Sequence, residues 1–416
     1  MRRSAAPPAS IPTKPAPRAR PNAGSTSATW PRPAPALFPV GARSIPRRAP
    51  SSAPTRPNRA RPNRARPHRA RLKPRPVTDP SRPSLTQASK ASAQDRRWLA
   101  AAAALGVRAR PLSRPNPAVG AIIVRGGKVL GRGWTAAGGR PHAEAVASAE
   151  AGGSIHGSTV YVTLEPCAHE SRRGPACASL LAEARPARVV IGCGDPDPRT
   201  NGRGIALLRD AGIDAVLADC EASRNSLAGF LTRERLGRPH VTLKLALSLD
   251  GCIAMASGES QWITGPQARA HTHMLRAMSD AILVGSGTVR ADKPRLDVRL
   301  PGLERFSPAR WVLTHGAAPE GWQAVADPGD LTAMTSAQYL LVEGGARTAA
   351  AFLAADRVDR LAIYRAPIVI GGGRAGIADI GLGSLAEAHG RWRMSDSRML
   401  GKDQFCVYER TPCLPE

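Results

Sequence analysis

The chain has 416 residues, enough for two ordinary domains, and carries 59 Lys and Arg against 32 Asp and Glu, a net charge of +27. That excess points to nucleic acid only until it is mapped: residues 1–90 hold 20 basic groups against the single acid Asp79, while the other 326 residues hold 39 against 31. Seven irregularly spaced cysteines exclude a regular disulfide framework, and no apolar run approaches the roughly 18–20 residues of a membrane span.

Residues 1–91 are an Arg/Pro-rich tail with a pentad repeat, Arg56-Pro-Asn-Arg-Ala, Arg61-Pro-Asn-Arg-Ala and Arg66-Pro-His-Arg-Ala. So little apolar surface cannot offset ordering entropy, so the tail is expected to be disordered, with polyproline II character. Its first 30 residues lack the apolar segment of a secretory signal, and a soluble cytoplasmic protein is expected. Order is predicted from about Asp95, with a helix through residues 98–105. A buried strand at 119–124, a Gly126-Gly127 turn and a partner strand at 128–134 form a hairpin. Helices follow at 142–151, 177–184 and 204–211, and strands at 160–163 and 189–191. The alternation predicts an α/β domain with a largely parallel sheet, spanning residues 92–237. Beyond Gly237-Arg-Pro239 a second α/β domain, 238–416, is predicted. Its strands fall at 241–247, 281–284, 310–313, 339–342 and 361–364, and its helices at 266–278 and 346–354.

The chemistry sits in the first of these domains. Hydrolytic deamination needs a hydroxide near neutral pH and a group to carry its proton to the departing ammonia. Zinc with three protein ligands keeps a fourth position for water and lowers its pKa to about 7. Zinc deaminases carry H-x-E followed by P-C-x-x-C. Here His142-Ala-Glu144 opens a predicted helix, and Glu165-Pro-Cys167 follows a predicted strand. A cysteine at a strand-to-helix junction meets backbone N–H groups that favour thiolate. Cys177 is the expected third ligand, with nine intervening residues instead of two. Any one of these alone is as well explained by a helix-start histidine or a small core cysteine. Together they point to metal, with Glu144 as the proton carrier; His169 stands nearby as a possible fourth ligand.

These residues, with others, resemble the bifunctional riboflavin-biosynthesis enzymes, in which a pyrimidine deaminase precedes a reductase. The likeness rests on Pro115-Asn-Pro-Ala-Val-Gly120, Pro141-His-Ala-Glu144 and Tyr161-Val-Thr-Leu-Glu-Pro-Cys167. In the second half it rests on Leu243-Lys-Leu-Ala-Leu-Ser-Leu-Asp-Gly251, Gly258-Glu-Ser-Gln-Trp-Ile-Thr264, Val284-Gly-Ser-Gly-Thr-Val-Arg-Ala-Asp292 and Val342-Glu-Gly-Gly345. The resemblance implies a cytidine-deaminase-like α/β/α domain followed by a dihydrofolate-reductase-like domain. It implies Zn2+ on His142, Cys167 and Cys177, with Asn116, His169 and Arg172 (or Arg173) on a phosphoribosyl-pyrimidine substrate. In the reductase half it implies substrate contacts at Lys244, Ser260, Arg276, Leu296, Arg299 and Glu343. For NADP(H) it implies Ala246, Trp262, Thr288, Asp292, His315 and the stretch Gly345, Ala346, Arg347, Thr348, Ala349, Ala350 and Ala351. A guanidinium fork suits phosphate at Arg276 and Arg299, and Gly344-Gly345 before a helix suits a pyrophosphate.

The chain departs from the family pattern in places. The 167–177 loop is one residue longer, Thr135 stands where a His is usual, and Cys252 replaces a Lys or Arg. His315 stands where a Ser commonly meets NADP, and the stretch from 314 to 339 is short. Two other readings therefore stay open: a deaminase with a degenerate reductase half, and a nucleic-acid deaminase recruited by the basic tail. The mildly basic body speaks against nucleic acid as a partner. A homo-oligomer with no membrane partner is expected.

Overall fold

A computed structural model describes residues 90–171 and 173–411. The tail through residue 89 and the predicted substrate contact Arg172 lie outside these described residues. The first helix, α1 (Ala93–Gly106), starts where its cap is complete. The Asp95 N–H donates to the Ser92 hydroxyl at 3.1 Å, and the Ser92 N–H donates to the Asp95 carboxylate at 2.8 Å. The same carboxylate receives the Tyr161 hydroxyl at 3.0 Å and pairs with Arg188 at 3.2 Å, which ties the cap to the sheet beneath it.

Along the chain follow β1 (Gly120–Arg125), β2 (Lys128–Trp134), α2 (Ala143–Glu150), β3 (Thr159–Val162) and α3 (Cys177–Ala184). Then come β4 (Arg188–Ile191), α4 (Arg203–Asp210), β5 (Asp214–Leu217), α5 (Glu221–Ser226) and α6 (Ala228–Leu236). The sheet order is β2-β1-β3-β4-β5. Only the β3–β4 and β4–β5 pairings are parallel; β1 is antiparallel to both neighbours, so the expected largely parallel sheet is mixed. The reason is geometric. The Gly126-Gly127 turn, with φ of +58° and +75°, folds β2 back on β1. The α2 crossover then lays β3 parallel to β2 with β1 between them.

Alternating side chains of these strands feed two layers. Ile122, Val124, Tyr161 and Val190 pack under Leu99 and Ala102 of α1. Ile123, Val160, Val162, Val189 and Ile191 face Ala143, Ala147, Leu181 and Leu208 on the opposite helices. The helix bearing the HAE motif sits unusually close: a Cβ at Gly131 or Gly133 would lie 2.1 or 2.2 Å from the Ala147 or Ala143 carbonyl oxygen. Glycine at those two strand positions lets α2 lie flat on β2.

The second sheet is built from β6 (His240–Leu247), β8 (Ala281–Gly285), β9 (Ala309–Leu313), β10 (Gln323–Val325), β11 (Tyr339–Val342), β12 (Arg360–Arg365), β14 (Trp392–Leu400) and β15 (Asp403–Arg410). A small pair, β7 (Cys252–Ala254) and β13 (Arg374–Ala375), lies apart, and α7 (Pro266–Ala277), α8 (Ser286–Asp292) and α9 (Ala346–Ala354) are the helices between strands. The order is β10-β9-β8-β11-β6-β12-β15-β14. The first six run parallel, and β15 is antiparallel to both β12 and β14. Val241, Leu243, Leu283, Leu340 and Val342 pack against Ala349, Phe352 and Leu353 of α9. The short 314–339 stretch still contains β10 and extends the sheet. No helix among the described residues is long and apolar enough to cross a membrane.

Candidate functional site

His142 is the N-cap of α2, Cys177 is the first residue of α3, and Cys167 lies in the loop leaving β3. These two helix starts and one strand end converge. His142 Nδ1 is 3.3 Å from Cys177 Sγ and 3.6 Å from Cys167 Sγ. Their three potential ligand atoms all lie within 4.8 Å of one another, the one such cluster among the described residues. The longer loop to Cys177 therefore still delivers its thiol. Two thiols and an imidazole nitrogen at this spread suit a tetrahedral zinc ion with one open position.

The start of α3 also conditions the thiols. The Cys177 N–H donates to Cys167 Sγ at 3.3 Å and the Ala178 N–H donates to the Cys167 carbonyl at 3.1 Å. The Cys167 thiol is held well below its usual range, first by the hydrogen bond from Cys177 and then, against burial, by His142. Cys177 is pushed up by the same bond, by burial and by Glu144. Burial works to lower His142, but Cys167 and Glu144 outweigh it and its pKa is raised. Glu144, second residue of α2, is buried at 4% exposure beside this cluster. Burial raises its carboxyl above the ordinary range, with the Cys167 charge adding to the rise and His142 opposing it. A buried carboxyl raised in this way has the chemistry of a general acid–base.

Around the cluster, close packing and hydrogen bonds fix the walls of the site. Asn116 packs on Gly139, where a Cβ would lie 1.9 Å from Asn116 Nδ2. His169 stands outside the metal cluster, with Nδ1 3.4 Å from the Thr200 hydroxyl. Thr135 braces the backbone, since its hydroxyl accepts the Val119 N–H at 3.0 Å and donates to the Pro117 carbonyl at 2.9 Å. Arg173 reaches back to the Gly138 carbonyl at 2.6 Å. Sequence reasoning missed Glu165 as a residue with its own role. Its buried carboxylate accepts N–H groups from Asp195 at 3.4 Å, Gly202 at 3.1 Å and Ile205 at 3.2 Å. It thereby clamps the loop bearing Cys167 to the start of α4. The available signal is a carboxylate next to Pro166 in a strand-end motif, where a charge needs partners.

In the second domain three of the proposed contacts, Lys244, Arg276 and Glu343, come together. Glu343, just past β11, receives Arg276 through Nε at 2.7 Å and Nη2 at 3.0 Å, and Lys244 Nζ of β6 lies 3.9 Å away. Arg276 Nη1 also donates to the Asp297 carbonyl at 3.1 Å. Burial would raise Glu343, but Lys244 and Arg276 together hold its carboxyl below the usual range. Burial lowers Lys244 despite Glu343. Leu296 is buried with φ +55°, a left-handed conformation that strains a branched side chain. Arg299 is more exposed, 3.6 Å from Asp297. Ser260 is exposed.

The residues proposed for NADP(H) divide. Gly345 is the N-cap of α9, with nothing within 4 Å of where its Cβ would lie, and the first turn of α9 leaves backbone N–H groups without an intrahelical partner. That cradle fits a pyrophosphate. Ala346 and Ala351 are half-buried and Arg347 is exposed along the same helix. Ala349 and Ala350, at 0% and 5% exposure, are buried on the core side. Thr348 is wedged against Gly285 and Gly344, where a Cβ would lie 2.2 and 2.5 Å from it. Thr288 and Asp292 lie on α8, and His315 is exposed just past β9. Ala246 is half-buried on β6, and Trp262 is 63% exposed under the Arg269 guanidinium at 4.9 Å. Cys252 is buried, its N–H donating to the Ser248 hydroxyl at 2.9 Å.

Comparison with known proteins places both halves. Residues 92–193 match the cytidine and deoxycytidylate deaminase zinc-binding region, and residues 239–338 and 329–404 match the RibD C-terminal domain. The chain is 36% identical to the riboflavin biosynthesis protein RibD of Haemophilus influenzae, covering 76% of this chain and 98% of that one. It is 37% identical to RibD of Escherichia coli, covering 76% and 99%. Among solved structures, Acinetobacter baumannii RibD is similar at 34% identity and a TM-score of 0.66, covering 76% of this chain and 99% of that chain. A Thermotoga maritima diaminohydroxyphosphoribosylaminopyrimidine deaminase/5-amino-6-(5-phosphoribosylamino)uracil reductase is similar at 28% identity and a TM-score of 0.67, with the same coverage of 76% and 99%.

Proposed function

The chain belongs to the RibD family of riboflavin biosynthesis proteins, with a deaminase and a reductase domain, and from that premise we propose two consecutive steps on one phosphoribosylated pyrimidine. The first hydrolyses the 2-amino group from 2,5-diamino-6-(5-phosphoribosylamino)pyrimidin-4-one. The second uses NADPH to reduce the ribosyl group of 5-amino-6-(5-phosphoribosylamino)uracil to ribityl. The observation that carries this reading is the presence in one chain of the His142, Cys167 and Cys177 cluster beside buried Glu144 and of the Lys244–Glu343–Arg276 ion-pair cluster.

Zinc, when bound, supplies a water acidified to near-neutral pKa. Glu144 takes that proton and hands it to the departing ammonia. Asn116 and His169 orient the pyrimidine, with Arg172 or Arg173 toward its phosphate. In the second half, Lys244 and Glu343 bind the sugar side with Ser260 and Leu296, and Arg299 meets the phosphate. The α9 start holds the cofactor pyrophosphate, with Trp262, Thr288, Asp292 and His315 as further cofactor contacts. We assign residues 92–237 to the deaminase and 238–416 to the reductase, in a cytoplasmic homo-oligomer.

The test runs the full chain and residues 90–416 in parallel with zinc, NADPH and the diaminopyrimidine phosphate, following ammonia and nicotinamide absorbance together. Both signals are expected from both proteins. Ammonia without NADPH consumption would leave a deaminase with an inert second half. Loss of activity with the tail would favour a recruited nucleic-acid deaminase.

A further inference from the structure

Where the second sheet meets the first domain, one carboxylate closes the amino ends of two strands. Asp280, ahead of β8, accepts the Gln338 N–H at 2.6 Å and the Tyr339 N–H at 2.9 Å. Its other oxygen pairs with Arg114 of the first domain at 2.9 Å. Gln338 is thus fixed along its backbone, and its carbonyl accepts the His240 N–H at 2.8 Å. Its side chain crosses over. Gln338 Nε2 donates to the Pro115 carbonyl at 2.7 Å and to the Asn116 carbonyl at 3.3 Å, with the residue only 3% exposed.

The surroundings leave this contact little freedom. The Tyr339 ring lies 2.4 Å from where a Cβ on Gly229 would be, and its hydroxyl donates to the Ser226 carbonyl at 3.3 Å. The Arg110 guanidinium sits 3.6 Å over the same ring and donates to the Met278 carbonyl at 3.0 Å. On the far side of the loop, Asn116 packs on Gly139, three residues before ligand His142, and the Gly138 N–H donates to the Leu112 carbonyl at 2.8 Å. A chain of direct contacts therefore runs from Gln338 through Asn116 to the segment that delivers His142.

We propose that Gln338, in the reductase half, is a positioning residue for deamination: it sets the backbone of Asn116, and so the angle at which that side chain meets the pyrimidine. This rests on the reading that Asn116 holds the deaminase substrate. Both hydrogen bonds donated by the buried amide cross to the other domain, so the folding of its own sheet does not call for a glutamine there. Burying an amide is costly unless those bonds are made. Pro115 has a second donor, Arg233 Nη1 at 3.1 Å, so losing Gln338 frees chiefly the Asn116 end of the loop.

The experiment measures ammonia release and NADPH oxidation in the full chain carrying Gln338→Met. The KM for the diaminopyrimidine phosphate should rise by about three- to tenfold, the size of one to two lost hydrogen bonds, with a smaller change in kcat. Zinc content and kinetics on the deaminated substrate should match wild type, and the melting temperature should fall by no more than one or two lost buried hydrogen bonds allow. In an Asn116→Ala background the same substitution should add nothing, since the two act in series. Gln338→Asn keeps a polar group in the pocket but withdraws the amide, and should behave like Q338M even if the methionine packs poorly. Unchanged deamination kinetics in both variants, full additivity with Asn116→Ala, or a parallel loss of both activities would overturn the proposal. Wild-type protein that releases no ammonia would overturn instead the assignment of function beneath it.

Discussion

Arg276 and Glu343 grip each other through two parallel hydrogen bonds, Nε to Oε1 at 2.7 Å and Nη2 to Oε2 at 3.0 Å, with both side chains about one-tenth exposed. The guanidinium fork that would suit a phosphate is therefore already filled by a carboxylate, while Arg299 is 55% exposed and only loosely paired. Arg299→Ala should raise the reductase KM for phosphorylated substrate by about tenfold or more, the worth of a charge-assisted hydrogen bond. It should have no such effect on the dephosphorylated analogue. Arg276→Ala should instead lower stability and weaken both analogues alike, because it leaves Glu343 buried with Lys244 as its remaining cation. Equal phosphate discrimination in wild type and Arg299→Ala would reject this division of labour.

The metal cluster and Glu144 separate in the same way. Cys177→Ala removes one of the three proposed ligands and should abolish both zinc binding and ammonia release while NADPH oxidation on deaminated substrate continues. Glu144→Gln should keep about one zinc per chain yet lose roughly 100- to 10,000-fold in ammonia release, the usual range for a general acid–base. Metal analysis beside the two assays reads both results. Zinc lost from Glu144→Gln would make the glutamate a ligand and not a proton carrier.

Glu165 tests the clamp on the Cys167 loop. Glu165→Ala leaves the N–H groups of Gly202 and Ile205 without their acceptor near the start of α4. The expected loss is about 1–3 kcal/mol, together with weaker zinc retention against a chelator, because Cys167 lies two residues along the same loop. Urea midpoints and chelator-induced zinc release should move together. A stability loss with unchanged zinc release would confine Glu165 to holding α4.

How much of this is legible in the sequence follows from how local each feature is. The helix of the HAE motif and the Cys177 helix carry their signals within a few residues, and the metal cluster forms even across an enlarged loop because both helix starts are set by the sheet. β5, only four residues long, escapes sequence reading, as do α5 and α6. The edge strand β14 has mostly exposed side chains and so no apolar run to see. The mixed first sheet depends on where a crossover lands, which no periodicity records. Thr135, which against the family pattern looks like a missing histidine, proves to be a bracket for the Pro117–Val119 backbone. Gln338 leaves no local trace at all, because its partners lie 223 and 222 residues away.

His240, at the first residue of β6, makes the acid stability of the domain junction testable. It is 5% exposed, its Nδ1 has no hydrogen-bond partner, and its ring lies 5.9 Å from that of Tyr339. Burial first, then Arg360, Arg110 and Arg238 against the opposing Asp359, push its pKa from 6.5 down to about 3. In the unfolded chain the imidazole takes its proton near the ordinary value. Between about pH 3 and 6.5 the unfolded state therefore binds more protons than the folded one, and stability rises with pH. The contribution is complete above pH 6.5 and is lost as the pH falls toward 3, by at most about 1.4 kcal/mol per pH unit. Asp359 is held below the ordinary carboxylate range, against burial, by the Arg238 hydrogen bonds and His240. Its own contribution is present above the range where an unfolded carboxylate titrates, and is lost as the pH falls from there through its lower folded value. The onset of the two losses can thus be told apart. His240→Phe keeps an aromatic ring and removes the titration, so urea midpoints at pH 7.5 should lie close to wild type, whereas at pH 5 the variant should be the more stable of the two. Parallel acid loss in both proteins would place the pH sensitivity of the junction elsewhere.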